Sequence, residues 1–186
     1  MNIGFAMCGS FCTFQEVFPA MEAVAGSHNV IPILSDSSAQ IDSRFGTARE
    51  HRERIVQICG KEPFSTIAQV EPIGPKKLLD ALIIAPCTGN TLAKLAHSIA
   101  DTPVTMAAKS HLRNGRPVLI AVSTNDALAG AAENIGKLLA RKHYYFVPFG
   151  QDDPIKKPTS MVADFSRIPE ALAHALEGKQ IQPILT

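Results

Sequence analysis

The sequence predicts a doubly wound α/β fold in three layers, a parallel sheet with helices on both faces. Two observations carry this. Short apolar runs rich in β-branched residues alternate with longer stretches of helical period, the pattern of βαβ units. Several of those runs are apolar almost without interruption, as strands covered on both faces require. With 186 residues and 46% hydrophobic content the chain can build one substantial core, so a single domain over 1–186 is expected.

The predicted strands are Ile3 to Met7, Val30 to Leu34, Ala81 to Ala85, Val118 to Val122 and Tyr144 to Val147. Pro19 should kink or shorten the first helix, because an interior proline removes one helical hydrogen bond. Leu92, Leu95, Ala96 and Ile99 fall on one helical stripe, and Leu128, Ala131, Ala132, Ile135, Leu138 and Leu139 on another. Thr102-Pro103 puts a capping hydroxyl before a proline at the first helical position, opening a helix that Asn114-Gly115 stops. A last helix is expected from Ile168 to Leu176. Two polar segments, about 35–48 and 149–163, lack periodicity and are read as functional loops.

Charge and composition exclude some functions. Eighteen basic and 17 acidic residues are spread along the chain for a net charge of +1, which offers no footprint for nucleic acid or an anionic membrane. Met1 to Met7 lacks the basic start of a secretory signal, and no apolar run approaches the roughly 20 residues of a membrane span, so a cytoplasmic location is expected. Cys8, Cys12, Cys59 and Cys87 form no CxxC pair and are read as small buried hydrophobes, with no metal expected. His51 and His111 lie in charged helical stretches and are read as exposed and idle.

Three polar turns follow predicted strands, where helix N-termini can hold an anion. The first, Cys8 to Thr13, contributes Gly9, Ser10, Phe11 and Thr13. Another contributes Pro86, Cys87, Thr88, Gly89, Asn90 and Thr91, with Lys94 one turn on. The last contributes Ser123, Thr124 and Asn125, and Ser35 and Ser37 after the second strand complete the candidate set. Neither Gly-x-Gly-x-x-Gly nor Gly-x-x-x-x-Gly-Lys-Ser/Thr follows any strand, which argues against a dinucleotide or a nucleoside triphosphate. A mononucleotide such as FMN is the natural occupant.

The stretch Ala85 to Ala96, continued by Ile99-Ala100-Asp101, resembles the flavin-binding segment of the flavoprotein superfamily, Rossmann-like proteins that include FMN-dependent cysteine decarboxylases and flavin prenyltransferases. This resemblance implies FMN held at subunit contacts of a homo-oligomer. Pro72 to Asp80, Pro86 to Thr91, Ser123 to Asp126, and Phe149 to Pro154 with Lys157-Pro158 are similar to one branch, the dipicolinate synthase B subunits. That branch implies a nicotinamide-binding A subunit as partner, a small dicarboxylate substrate, an oxidoreductase role in a branch of lysine biosynthesis, and the mother-cell compartment of a sporulating bacterium. Arg44, Lys109, Arg113 and Lys157 are then candidates to grip substrate carboxylates.

Departures from the superfamily narrow the chemistry. Pro72 stands where the cysteine decarboxylases carry a catalytic histidine, and Ser123-Thr124 where prenyltransferases carry Arg-Glu. Asn125 survives from the decarboxylase Pro-x-Met-Asn motif without its neighbours and is the one catalytic candidate. The competing readings are an FMN-dependent decarboxylase, which the missing histidine disfavours, and a non-catalytic scaffold with a vestigial flavin pocket. A flavodoxin-like carrier would be more acidic than this chain.

Overall fold

The computed structural model describes residues Met1–Thr186. Strand β1 (Asn2–Met7) leads through a short turn into α1 (Phe14–Ala25) and β2 (Asn29–Leu34). Helices α2 (Asp36–Gln40), α3 (Ala48–Cys59) and α4 (Ile67–Val70) precede β3 (Ala81–Cys87). Then come α5 (Gly89–Ala96), α6 (Pro103–Leu112), β4 (Val118–Thr124), α7 (Ala132–Leu139) and β5 (Tyr144–Phe146). The chain closes with β6 (Phe149–Gly150), β7 (Met161–Ala163) and α8 (Ile168–Leu176).

The parallel strands lie in the order β2-β1-β3-β4-β5. Every residue of β3 is buried, and β1 and β4 are buried except at one end each. This explains why those segments read as nearly unbroken apolar runs. Their side chains belong to one cluster that extends from Ile3 to Ile181. All five predicted strands are present, and helices cover both faces.

Strand β4 is shared between two neighbours. Val118 to Ile120 pair with β5, whereas Ser123 and Thr124 pair antiparallel with Val162 and Met161 of β7. Strand β7 also pairs with β6, so residues 151–160 form the tip of a flap standing over the end of β4. The sequence did not signal β6 or β7, which are too short for alternation to register.

Helix boundaries follow local chemistry. Thr47, Thr66 and Thr102 each form a reciprocal capping box, and Thr88 caps α5 through the Thr91 amide at 3.4 Å. Gly115, at φ +65°, ends the α6 segment as expected. Helix α5 stops earlier than its stripe implied. Ser98 adopts φ +59°, and Ile99 swings out to 47% exposure. Helix α7 starts at Ala132 rather than near Leu128, because the chain first turns on the Asp126 carbonyl, which takes the Ala129 and Ala131 amides at 2.9 and 3.1 Å, and the Ala132 amide bonds to Ala129 instead of Leu128. Helix α1 runs six residues past Pro19, which is exposed, so the proline does not shorten it. The segment from Ser35 is not wholly loop, since Ser35 caps α2.

Both histidines depart from expectation. His51 is buried, its ring edge-on to Phe14 at 4.8 Å, and burial lowers its pKa. His111 is fully buried, with Nε2 3.0 Å from the Pro117 carbonyl. Each sits on the inward face of a helix whose charges point outward, a distinction that composition hides. Burial pushes the His111 pKa down to about 4.

A pH dependence follows. Between its ordinary value of 6.5 and about 4, His111 binds a proton in the unfolded chain but not in the folded one. Its contribution is therefore complete above the unfolded pKa and lost as pH falls. Urea unfolding should show stability declining from pH 6.5 toward 5, with this group supplying up to about 1.4 kcal/mol per pH unit. His111→Gln should make that slope shallower; an equal slope would contradict the assignment.

Candidate functional site

The order β2-β1-β3-β4-β5 reverses direction between β1 and β3, and a crevice opens there at the carboxyl ends. It is a cleft of about 860 Å³, lined from β1 by Gly9 to Thr13, from β3 by Thr88 and from β4 by Ser123 to Asn125. The Ser10 and Ser123 hydroxyls meet at 2.7 Å, tying together turns that lie 113 residues apart in the chain. Thr13 Oγ1 donates to the Ser10 carbonyl at 2.9 Å and braces the first turn.

The β3 turn is locked in from below. Thr91 Oγ1 donates to Cys8 Sγ at 3.3 Å, and the Cys8 amide donates to the Pro86 carbonyl at 3.2 Å. A methyl group on Gly89 would lie 2.8 Å from both Asp126 Oδ1 and Thr124 Oγ1, so any larger residue would have to displace the side chains that hold the β4 turn. Thr124 Oγ1 itself donates to Asp126 Oδ1, which holds that turn together. The first amides of α5, at Gly89 and Asn90, have no carbonyl behind them within the helix and are available to an acceptor.

Two cationic side chains reach the cleft from the loops. Arg44 stacks over Phe45 with its guanidinium carbon 4.8 Å from the ring centre. Lys157 pairs with Asp152 at 2.9 Å, and that hydrogen bond raises the ammonium pKa above the ordinary lysine value. The flap is pinned by Thr159 Oγ1, which donates to the Asn125 carbonyl at 2.7 Å. Burial pushes the Cys8 thiol up to about 11 and Cys87 well above its usual range, so neither is a nucleophile at neutral pH.

Gly9, Ser10, Phe11, Thr13, Thr88, Ser123, Thr124, Asn125, Arg44 and Lys157 thus gather around one cleft. Other predicted residues do not line it. Pro86 and Cys87 are buried beneath it, Thr91 faces the interior, and Lys94 is held by Asp101 at 2.7 Å. Ser35 is occupied as a helix cap, Ser37 borders Gly9 from behind, and Asn90 is exposed to one side. Lys109 and Arg113 are placed elsewhere altogether. Both lie on the last turns of α6, which lead into the amino end of β4, opposite the cleft. Cys12 is an exposed cleft residue, contrary to its expected burial. Glu16, Ser43, Phe45, Asp152, Ser160 and Val162 also line the cleft and were missed individually, although most fall in the two loops read as functional.

A sequence model of the family described as Flavoprotein matches residues 2–168. The chain belongs to the Flavoprotein family. Within it, the chain is a homologue of the dipicolinate synthase B subunit of Bacillus subtilis (strain 168), 44% identical over 185 residues, covering 99% of this chain and 92% of that protein. The crystal structure of the dipicolinate synthase B subunit of Bacillus halodurans superposes at TM-score 0.91, with 43% identity over 100% of this chain and 95% of that one. At the level of fold alone, this Flavoprotein chain also resembles Burkholderia xenovorans DmrB in complex with FMN, at TM-score 0.69, 17% identity and 95% of each chain.

The residues of this Flavoprotein cleft fit a mononucleotide. The volume lies within the roughly 300–1,000 Å³ of small-molecule sites, and hydroxyls and helix-start amides supply the donors a phosphate needs. The Gly89 approach can be tested without any ligand. Gly89→Ala should destabilise the fold by about 1–3 kcal/mol, the usual cost of overpacking, read as a lower urea midpoint. An unchanged midpoint would show that α5 and the β4 turn are not held together at this point.

Proposed function

We propose that this chain binds FMN in the cleft and acts as the B subunit of a dipicolinate synthase. The meeting of Ser10 and Ser123 at 2.7 Å carries this reading, because it makes one anion-ready cradle out of turns that could each have been an isolated helix cap. Homology over 99% of the chain to a dipicolinate synthase B subunit supports the reaction class.

The overall conversion is that of 4-hydroxy-tetrahydrodipicolinate to dipicolinate, which loses one water and two further hydrogens. Bound FMN would supply a two-electron acceptor, directly or in relay with a nicotinamide on the A subunit. The protein's own part is orientation. The Ser10 hydroxyl, with the first amides of α5, holds the phosphate end, while Thr13 and Thr88 brace the turns that carry them through bonds to the Ser10 carbonyl and the Thr91 hydroxyl. Asn125 and Thr124 border the reacting face. Arg44, backed by Phe45, grips one substrate carboxylate, and Lys157, steered by Asp152, meets the other. Phe45, Leu128 and Ile155 are exposed, at 40%, 51% and 91%, and supply apolar surface for neighbouring subunits of a homo-oligomer in which the cofactor lies at subunit contacts.

Titration with FMN, followed by flavin fluorescence, tests the cradle. Ser10→Ala and Ser123→Ala should each weaken binding about tenfold, as expected for a lost hydrogen bond of roughly 1–1.5 kcal/mol. Equal affinity in both variants would place the cofactor elsewhere. With the A subunit present, Arg44→Ala should raise KM for the dicarboxylate about tenfold or more. Full turnover by a flavin-free mixture would instead favour the scaffold role.

A further inference from the structure

A second cavity, of about 290 Å³, lies at the end of the sheet opposite the cleft. It is enclosed by the carboxyl end of α5, the last turns of α6 and the turn between α7 and β5. Leu95, Leu112 and Tyr144 give it an apolar floor, with the exposed side chain of Ile99 at its edge. Lys109, Arg141 and Lys142 stand around it, and no acidic side chain lines it.

This imbalance is written in the sequence. Neither 103–125 nor 134–151 contains an aspartate or glutamate, although the whole chain carries a net charge of only +1. Of the six lysines and arginines in these two segments, Lys109, Arg141 and Lys142 line the cavity, and none of the three is in an ion pair, whereas Arg116 and Lys137 are paired with Asp80 and Glu133. Arg141 fixes one wall, donating to the carbonyls of Leu95 at 3.0 Å and Ala96 at 2.6 Å, which closes the open end of α5. Its planar group has further N–H donors beyond those two bonds.

The turns after α5 and before β5 shape the rim, with Ser98 and His143 in left-handed backbone at +59° and +69°. Ser98 closes α5 as its left-handed cap, the Ile99 amide returning to the Lys94 carbonyl at 2.9 Å. Tyr144 adds a neutral donor, since burial raises its phenol pKa above the ordinary value. Converging cations over an apolar floor lack a counter-charge, which a ligand can bring.

We propose that this cavity is a second binding site, for a compact organic dianion with a flat apolar body, either a dicarboxylate or a phosphate monoester. Lys109, which the sequence offered as a carboxylate donor, acts here and not in the cleft. The proposal does not depend on what occupies the cleft.

Calorimetric titration of the full chain tests it, with pyridine-2,6-dicarboxylate and phenyl phosphate as probes and inorganic phosphate as a charge without a body. Lys109 and Lys142 are exposed, so Lys109→Glu with Lys142→Glu leaves the core untouched. At least one organic dianion should bind and lose about tenfold or more in affinity in that double variant, while Lys157→Glu, in the cleft, leaves this binding in place. Which probe binds more tightly identifies the charged group. Three results would overturn the proposal: no organic dianion binding at millimolar concentration, equal binding by the double variant, or inorganic phosphate binding as tightly as the organic probes. Loss confined to Lys157→Glu would also overturn it, by assigning the binding to the cleft.

Discussion

The cleft depends on one constraint, the complete burial of β3 between β1 and β4. Ala6 is paired with Ile84, and Ile84 with Ile120, so the three strands reach their carboxyl ends at the same level. Burying apolar side chains on both faces of β3 fixes that register, because a slip of one residue would exchange the two faces. Beyond Ile84 the β3–β4 register shifts before Cys87, and there the apolar ladder gives way to polar turns. The floor of the site is the buried apolar end of β3 and its rim is made of hydroxyls and amides.

Most of the scaffold was legible in the sequence for the same reason. Strands such as Ala81 to Cys87 are apolar throughout because both faces are covered, and that leaves an unmistakable run. The capping chemistry of Thr102-Pro103 also announced itself. What could not be read was the short and the conditional. Strands β6 and β7 contain two and three residues, and they exist only because Ser123 and Thr124 offer β4 as a template. Leu128 carried a helical stripe into a stretch that turns on the Asp126 carbonyl instead.

The site was legible as a set of turns and less so as a set of side chains. Glycine and hydroxyl residues after strands marked where the ligand end would be, but not which members face it. Thr91 has the right chemistry and uses it inward on Cys8, whereas Thr88, three residues earlier, faces the cleft. Distinguishing the two requires the helix phase relative to the sheet. Lys109 and Arg113 show the larger version of this problem. Cations on one helix read alike in sequence, yet the end of the sheet they occupy decides their role, and here the two ends differ in charge as well as shape.

The proposed mononucleotide rests on the turns that follow β1, β3 and β4. A crystal structure of the chain grown with excess FMN tests this most directly. The phosphate should lie within hydrogen-bonding reach, about 3 Å, of the Ser10–Thr13 turn or the first amides of α5. Flavin density at any other place, or none in the cleft at saturating FMN, would contradict it.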